Sequence, residues 1–329
     1  MKRIFGLPIA LQTWSLGNVW SDDIITTLKE IKKAGITAIE VSVPCRRTRQ
    51  GYRGAIEKVA TSCQELKLEV LGYHAPALIE SKNEDGTLAA DNNAFLDSQL
   101  EEIRHHCKVL GTANVTIMDQ KWYTSEKYSF YQYAKLLNDA ARKLKDTKVI
   151  IKGEEEEINV YFHVYQFNLQ KKKKKLEADP KSELEILLSK TDPELVGIQL
   201  DTYWLADAGY KDPSTFFEQV FGDKEPPQWT KERCLSIHLG NLPKKRNDET
   251  GAPTSCVTED EDTASSHGKV GCKAWLDFIS KNNRLGTTAG VQNVILEFMP
   301  STFKPEAWGK KGDPILQTSV KWMEKHGTM

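Results

Sequence analysis

The sequence predicts an α/β fold in the form of a single (β/α)8 TIM barrel, and three observations support this prediction. Strand-like and helix-like patterns alternate about eight times along the chain, at spacings suited to parallel βαβ units. Several predicted strands are continuous apolar runs, which is typical of strands buried on both faces. The glycine-rich GxGxxG turn of an open, nucleotide-binding sheet is absent after the first strand, where the sequence reads LGNVWSD. We therefore expect one barrel domain over residues 1–329.

The first half of the chain contains four predicted strands, each followed by a helix. The helix at 22–34 carries its apolar side chains on one face, and either Ser21 or Asp22 is expected to cap its start. The four strands are predicted at 9–16, 38–43, 68–73 and 114–119, and the other helices at 55–66, 92–110 and 131–145.

The fifth strand is ambiguous, because two apolar runs qualify and an acidic run at 154–157 separates them. Of the two, 148–152 and 160–165, we choose the second because it carries His163. The last strands are predicted at 196–204, 234–239 and 294–298, and the last helices at 182–189, 213–220, 274–280 and 314–325.

Two stretches do not fit the alternation of strands and helices. Residues 171–175 are all lysine, which indicates a solvated loop or helix start. A polar insertion at about 242–268 joins the seventh strand to the seventh helix, on the face where such barrels keep their active sites. Long loops are either functional or disordered, so this insertion is interpreted as an active-site lid or as a mobile loop.

The composition is that of a soluble globular chain, with 39% hydrophobic and 28% charged residues. A formal net charge of -1 argues against nucleic acid or an anionic membrane surface as a partner. No apolar run approaches the roughly 20 residues of a membrane-spanning helix. The basic start of the chain has only a short apolar stretch, interrupted by Gln12, so we interpret it as a strand. We expect a cytoplasmic protein, with a removed export signal as the alternative.

The six cysteines do not form a disulfide framework by their spacing. None of them makes a close CxxC pair, and a chain of this size does not need disulfides to stabilise its core. We expect reduced, buried thiols at Cys45, Cys63, Cys107, Cys234, Cys256 and Cys272.

Three predicted strands end in groups that bind metal ions. Asp201, His238 and Glu297 each follow an apolar run, and an ionised carboxylate in a core is costly unless a positive group meets it. Because parallel strands end at the same side of a barrel, we expect the three to share one divalent cation. His163 on the fifth strand is the expected fourth ligand. Such a donor set accepts Mn²⁺, Mg²⁺, Co²⁺ or Zn²⁺.

The alternative is that Asp201 and His238 pair with each other or with backbone amides. A lone histidine on a strand, such as His163, is also often a core residue with its hydrogen bonds satisfied.

Further residues at predicted strand ends are candidates for binding a polyol: the polar ones would bind its hydroxyl groups, and Trp14 and Trp204 would form apolar walls. Trp122 is a further candidate for an apolar wall of the site. The same residues are also compatible with a rim that binds no ligand. Four other histidines, at positions 105, 106, 267 and 326, lie on predicted helices or loops and are expected at the surface. The substrate-binding candidates are Gln12, Trp14, Glu40, His74, Asp119 and Trp204.

The segments that carry these residues resemble the sugar phosphate isomerase/epimerase group of the xylose-isomerase-like TIM barrel superfamily. They cover nearly the whole chain in the family's order, and they read PIALQTWSL, AGITAIEV, LEVLGYHAP, VGIQLDTYWLADAG, LSIHLGN and VILEFMP. The resemblance implies one divalent metal ion held by residues from strands five to eight. In this chain those residues are His163, Asp201, His238 and Glu297.

The sequence departs from the family pattern at two of these strands. The fifth strand offers His163 where family epimerases have a glutamate, and a related branch with a Tyr-His-Asn-His type segment matches it better. The seventh strand continues into Gly240-Asn241, where the family usually has Lys-Asp. The fold and the metal site remain expected, and the exact reaction stays open.

The leading hypothesis is a metal-dependent isomerase or epimerase that acts on a sugar or keto-sugar through an enediolate. Glu297 is the expected base, and the second acid is His163, His74, Asp119 or water. The alternative is a lyase of the same fold, in which the enediolate expels a β-oxygen. A non-catalytic sugar-binding protein is a further alternative. An endonuclease IV-like role needs about three metals and a cationic surface, which this sequence does not provide. A homo-oligomer stays open.

Overall fold

The structure is a computed structural model, and it describes most of the chain. The described residues are 3–13, 23–42, 49–75, 78, 92–118, 130–169, 182–210, 212–222, 226–240, 272–282, 290–297 and 314–326. Trp14, Asp119 and Trp122 lie outside them, as do the lysine run 171–175 and the polar insertion 242–268.

Eleven strands are present among the described residues. In chain order they are β1 (Arg3–Ile4), β2 (Leu7–Gln12), β3 (Ala38–Ser42), β4 (Glu69–Ala75), β5 (Asn114–Ile117), β6 (Lys148–Ile151), β7 (Glu154–Glu157), β8 (Asn159–His163), β9 (Val196–Asp201), β10 (Cys234–Leu239) and β11 (Gly290–Leu296).

Eight of these strands form one closed parallel barrel, in the order β2, β3, β4, β5, β8, β9, β10, β11 and back to β2. The predicted (β/α)8 barrel is therefore confirmed. The three remaining strands pair antiparallel and lie outside the barrel: β1 pairs with β2, and β6 forms a hairpin with β7.

Ten α-helices accompany the strands within the described residues, and a short 3-10 helix spans Gln166–Leu169. The α-helices are α1 (Ile24–Lys33), α2 (Arg49–Leu66), α3 (Asn92–Leu110), α4 (Phe130–Lys145), α5 (Glu183–Lys190), α6 (Thr202–Asp207), α7 (Pro213–Phe221), α8 (Trp229–Glu232), α9 (Cys272–Asn282) and α10 (Pro314–His326). None of the described helices is long and apolar enough to cross a membrane.

Side chains alternate between the two faces of each barrel strand, and this alternation separates the core from the site. Outward-facing residues such as Leu11 and Ile39 belong to the large apolar core beneath the helices. Ala10, Ala38 and Ile295 form a smaller apolar cluster with Leu71, on the inner face of the barrel. The residue two positions further along each of these three strands therefore also faces the interior, nearer to the carboxyl end.

The fifth barrel strand is β8, as predicted from His163. The competing run at 148–152 contributes β6 instead, and the acidic run forms β7, with its four glutamates exposed. The sixth strand was predicted to reach Trp204, which is wrong. β9 ends at Asp201, because the Asp201 side chain accepts a hydrogen bond from the Tyr203 backbone N–H at 2.8 Å and so begins α6.

Two helix boundaries also differ from the sequence-based prediction. Asp23 caps α1, in place of Ser21 or Asp22, and its carboxylate accepts from the Thr26 backbone N–H at 3.0 Å. α2 begins six residues before the predicted position 55, at Arg49. The sequence RQGYRG of this first part lacks the apolar periodicity that would have predicted a helix.

The prediction that His106 lies at the surface is wrong. Its side chain is fully buried, and its Nδ1 lies 2.8 Å from the Tyr73 hydroxyl. α3 turns Ile103, His106 and Leu110 toward the barrel, since residues three and four apart share a helix face. The burial predicted for the cysteines holds at Cys63, Cys107 and Cys272, whereas Cys234 is half-buried, and no disulfide joins these described cysteines. Cys45 and Cys256 lie outside the described residues.

Candidate metal centre

The carboxyl ends of four neighbouring strands bring together the four residues that the sequence predicts as metal ligands. Asp201 is paired with His238 in the register of β9 and β10, and His163 ends the adjacent β8. Glu297 follows directly after β11. One potential ligand atom from each of the four residues lies within 4.8 Å of the others, so the group could surround a single cation.

His163 is a buried imidazole with one ring nitrogen unsatisfied within the described part of the chain. It is 2% exposed, and its Nδ1 has no partner among the described residues. Its Nε2 lies 3.7 Å from Asp201 Oδ2, which is too long for a hydrogen bond. Burial, together with the nearby His238 and His74, lowers the pKa of His163 well below its ordinary value. The ring is therefore neutral, and its lone pair is available to a ligand.

Asp201 and Glu297 are close enough to repel each other when both are ionised, and Asp201 is also buried. Burial raises the pKa of Asp201 well above its ordinary value, and the charge of Glu297 raises it further. Of the four residues, Glu297 is the most accessible, with 11% of its side chain exposed. A divalent cation between the two carboxylates would remove their repulsion.

His238 joins this group to a second one. Its Nδ1 contacts the Glu297 carboxylate, and its Nε2 lies 2.6 Å from Glu40 Oε2. Burial alone would lower the pKa of His238, but Glu40 and Glu297 outweigh it and hold the pKa well above the ordinary value. The imidazole is therefore flanked by carboxylates at both nitrogens.

Glu40, predicted from the sequence to bind substrate, adjoins the four-residue group through His238. It is 2% exposed, and its Oε1 accepts from Gln199 Nε2 at 2.7 Å. Its Oε2 also lies 2.7 Å from His74 Nε2. Burial alone would raise the pKa of Glu40, but His74 and His238 outweigh it and hold the pKa well below its usual range. With these contacts, both oxygens of Glu40 are occupied by protein groups.

Gln12 and His74 are also brought together inside the barrel. Both are 1% exposed, and Gln12 Nε2 lies 3.2 Å from His74 Nδ1. Met118 Sδ lies 2.8 Å from the same nitrogen. The ring of His74 stacks on that of His238, with 5.3 Å between centroids and 7° between planes.

An aromatic wall adjoins His163 and is formed from two elements. The Tyr165 ring lies 4.4 Å from that of His163 and 5.7 Å from that of Trp204, measured between centroids. Trp204 is half-buried and lies on α6, whereas the sequence had placed it at a strand end. Trp14 and Asp119, the other two predicted substrate-binding residues, lie outside the described residues.

Two residues of this region were missed by the sequence analysis. Tyr165 follows β8 by two positions and faces the same way as His163, so the alternation of the strand could have indicated it. Gln199 precedes Asp201 by two positions and is the single amide within an otherwise apolar run. The polar residue inside that run was the available signal.

The glycine at position 240, where similar sequences usually have lysine after the seventh strand, has a local explanation. A Cβ atom at Gly240 would lie only 2.8 Å from the Glu297 backbone oxygen. Thr202 closes the same junction, because its hydroxyl donates to the Gly240 carbonyl at 2.8 Å. Glycine at this position therefore allows Glu297 to approach the end of β10.

No protein-family model matches the sequence, and comparison with curated proteins gives no match. Solved structures do match it over nearly their whole length. A sugar phosphate isomerase/epimerase from Parabacteroides distasonis is 16% identical, with a TM-score of 0.60, and the match covers 97% of this chain and 96% of that one. The IolI protein, solved with a bound zinc atom, is 15% identical, with a TM-score of 0.54 and 98% coverage of both chains.

A third similar structure is AsbF from Bacillus anthracis, described as a probable 3-DHS dehydratase. It is 13% identical, with a TM-score of 0.52, and the match covers 96% of this chain and 98% of that one. At these identities the similarity establishes a shared fold. The chain thus has the barrel fold of the sugar phosphate isomerase/epimerase and xylose-isomerase-like structures that the sequence segments resemble.

Proposed function

We propose that the protein is a divalent-metal-dependent isomerase or epimerase that acts on a sugar or keto-sugar through an enediolate. The observation that carries this proposal is the group formed by His163, Asp201, His238 and Glu297. Their ligand atoms lie within 4.8 Å of one another, and His163 Nδ1 has no partner among the described residues. Buried polar groups without partners are rare in folded proteins, and a bound ion is one of the usual reasons for them.

The donor set fits a borderline divalent cation. Two imidazoles with two carboxylates suit Zn²⁺, Co²⁺ or Mn²⁺ better than Mg²⁺, which prefers oxygen ligands and keeps several waters. When bound, such a cation acts as a Lewis acid that stabilises negative charge developing on a substrate oxygen. His163, Asp201, His238 and Glu297 would hold it.

Glu297 is the proposed general base. Among the four residues it has the most exposed side chain, and it lies at the mouth of the barrel after β11. It would take the proton from the carbon next to the substrate carbonyl, which leaves an enediolate.

His163 is the proposed second proton donor. It has two ring nitrogens, so it can bind a ligand through one and exchange a proton through the other. His74 is less suited to this task, because its nitrogens face Glu40 on one side and Gln12 and Met118 on the other. The wall of Tyr165 and Trp204 would pack against the apolar face of a small carbohydrate.

The experiment that tests the proposal follows hydrogen exchange in deuterated water. The purified protein, stripped with a chelator and reloaded with Zn²⁺, Co²⁺ or Mn²⁺, is incubated with a panel of sugars and keto-sugars. Deuterium should enter at the carbon next to the carbonyl, as detected by NMR, and only in metal-loaded samples. If no sugar of the panel exchanges while the protein holds metal, the isomerase proposal fails.

A lyase is the second candidate, and His163 is the observation that favours it. The fifth strand carries a histidine where family epimerases have a second glutamate. Among the carboxylates of the described site residues, Glu297 is the most exposed, so it alone could act as a base at the mouth of the barrel. A single base suffices for elimination from the enediolate. Mass spectrometry of the same reactions separates the two, because an isomer keeps the substrate mass and elimination changes it.

A further inference from the structure

Glu40 is the least expected member of the polar interior, because its carboxylate is shielded from solvent and is not one of the four proposed ligands. Glu40 Oε2 lies 2.6 Å from His238 Nε2, in hydrogen-bond geometry. The other oxygen, Oε1, accepts from Gln199 Nε2 at 2.7 Å. Glu40 is 2% exposed, so these protein groups replace the water that an ionised carboxylate requires.

The contact with Glu40 determines which nitrogen of His238 carries hydrogen. A neutral imidazole has one N–H donor and one acceptor nitrogen, whereas an ionised carboxylate only accepts. In the neutral ring that a metal ion requires, Nε2 must therefore donate to Glu40, which leaves the lone pair on Nδ1. That nitrogen is the one that contacts Glu297, one of the proposed ligands.

We propose that Glu40 is a positioning residue that holds His238 in the Nε2–H tautomer and fixes its ring, so that Nδ1 binds the metal ion. This inference rests on the proposed function, since it concerns the same cation. Histidine ligands of metal sites characteristically donate their second N–H to a carboxylate, which fixes the tautomer and strengthens the ligand.

The carboxylate is itself held in place from several strands. Gln199 on β9 also reaches Ser236 Oγ of β10 at 3.3 Å, which links the two strands through its amide. On β4, His74 Nε2 lies 2.7 Å from Glu40 Oε2. Also on β4, a Cβ atom at Gly72 would lie 3.3 Å from Glu40 Oε1, so glycine leaves room for the carboxylate. A carboxylate fixed in this way can in turn fix the ring of His238.

The group of Glu40, His74 and His238 could instead be regarded as a second cation site. His238 would then have to bind one cation through each nitrogen, which requires loss of both ring protons. The geometry at His238 also favours hydrogen bonding, because Glu40 Oε2 lies 2.6 Å from its Nε2. Ligand atoms around a tetrahedral Zn²⁺ are about 3.3 Å apart, as expected for bond lengths near 2.0–2.1 Å.

The first test is a calorimetric titration of the metal-free protein with Zn²⁺ and with Mn²⁺. Glu40→Gln keeps the side-chain size and removes the charge, and it should weaken metal binding by roughly 10–100-fold, the usual cost of losing such a partner. Glu30→Gln is the matched control, since Glu30 is 8% exposed and lies on α1, away from the site. Its affinity should equal that of wild type.

The second measurement is the ¹⁵N NMR spectrum of histidine-labelled, Zn²⁺-loaded protein. Wild type should show His238 with Zn²⁺ on Nδ1 and hydrogen on Nε2, and Glu40→Gln should lose or broaden that Nε2–H signal. A residue with only a structural role would change the unfolding temperature without changing the tautomer. If Glu40→Gln does not fold, Glu40→Asp replaces it in both measurements, because its shorter side chain withdraws the carboxylate from His238 Nε2 and should weaken metal binding as well.

The outcomes separate this inference from the function on which it rests. Wild-type metal affinity in a folded Glu40 variant, with an unchanged Nε2–H signal, overturns the positioning role and leaves the proposed metal site intact. A wild-type protein that binds neither ion overturns the proposed function, and this inference with it.

Discussion

The two ends of the barrel treat buried charge in opposite ways. At the amino end, Arg233 directly precedes β10 and is 2% exposed. The two terminal nitrogens of its guanidinium donate to the Val196 carbonyl at 2.5 Å and to the Thr191 carbonyl and hydroxyl at 3.0 Å each, and its Nε has no partner among the described residues. At the carboxyl end, His163 has no hydrogen-bond partner for Nδ1 among the described residues.

The pKa values reflect the same difference. Burial lowers the pKa of Arg233 to about 10, with Asp192 and Glu232 opposing the shift, so the side chain stays charged at neutral pH. At the other end the shifts run in opposite directions, with the pKa of His163 lowered and that of His238 raised. A charge surrounded by enough acceptors stabilises the fold, whereas groups in mutual conflict mark a site that a ligand completes.

The largest effect is expected from substitutions at the carboxyl end of the barrel, which should lower the affinity for metal ions. Asp201→Asn keeps an oxygen that can accept from the Tyr203 N–H and so preserves the cap of α6, but it removes the ligand charge. Loss of a residue that hydrogen-bonds a metal ligand lowers affinity by up to roughly 100-fold. Loss of the ligand charge itself should lower Zn²⁺ affinity by more than that. His238→Ala should likewise abolish stoichiometric binding. Calorimetric titration measures both variants.

The control for Asp201→Asn is Asp212→Asn. Asp212 caps α7 in the same manner, accepting from the Thr215 N–H at 2.9 Å. It should leave metal affinity unchanged. Full metal occupancy in Asp201→Asn or His238→Ala would contradict the assignment of the site.

The second prediction separates chemistry from metal binding at the same end. Glu297→Gln keeps the shape and one oxygen ligand but removes the basic carboxylate. Solvent deuterium exchange into the substrate should fall by at least ~10²-fold, as is typical for a lost general base. NMR measures the exchange at saturating metal, with occupancy checked by elemental analysis. Exchange at the wild-type rate in metal-loaded protein would move the base to His163 or His74.

The third prediction concerns the amino end and should affect stability alone. Arg233→Met leaves several buried carbonyls without a donor, and we expect the free energy of unfolding to fall by about 2–4 kcal/mol. Zn²⁺ affinity of the folded variant should not change. Urea unfolding and metal titration together make the test.

Arg142→Met is the matched control for this substitution. Arg142 is 59% exposed in its side chain and pairs with Asp139 at the surface. Exposed ion pairs contribute little, so its loss should cost under about 1 kcal/mol. If Arg233→Met lowers the free energy of unfolding no more than Arg142→Met does, or if it weakens metal binding, then the amino end does not act on stability alone.

The sequence predicted much of this arrangement because the relevant signals are local. The apolar runs of β9 and β10 are continuous, and Asp201 and His238 stand out at their ends. The barrel followed from the alternation of strands and helices, which needs no knowledge of distant contacts. The four proposed ligands could therefore be chosen before their distances were known.

The residues that hold the proposed ligands in place, such as Glu40, could not be predicted in the same way. Glu40 and His238 are 198 positions apart, and their contact depends on the stagger of strands across the closed barrel. A single sequence contains no local signal for such a pairing, so Glu40 was interpreted as a rim residue. Arg233 was also not anticipated, because its acceptors are backbone carbonyls, and any residue type provides those.

The smallest effect concerns pH, and it follows from the raised pKa values at the carboxyl end. Burial opposes the protonation of His238, but Glu40 and Glu297 outweigh it, so the metal-free ring keeps a proton well above its ordinary pKa. Burial, with the charge of Glu297, likewise favours the protonated form of Asp201. Metal ions bind only the deprotonated ligands, so the cation must displace these protons.

Metal affinity should therefore rise with pH, by about tenfold per pH unit for each proton released. Zinc titrations between about pH 6 and 8, in two buffers of different ionisation enthalpy, give both the affinity and the number of protons released. Asp212→Asn should show the wild-type slope, because it alters a carboxylate outside the site. An affinity that does not change over this range would mean that the ligands are already deprotonated in the metal-free protein. The charges at the carboxyl end would then be stable without a cation, and the contrast between the two ends would be lost.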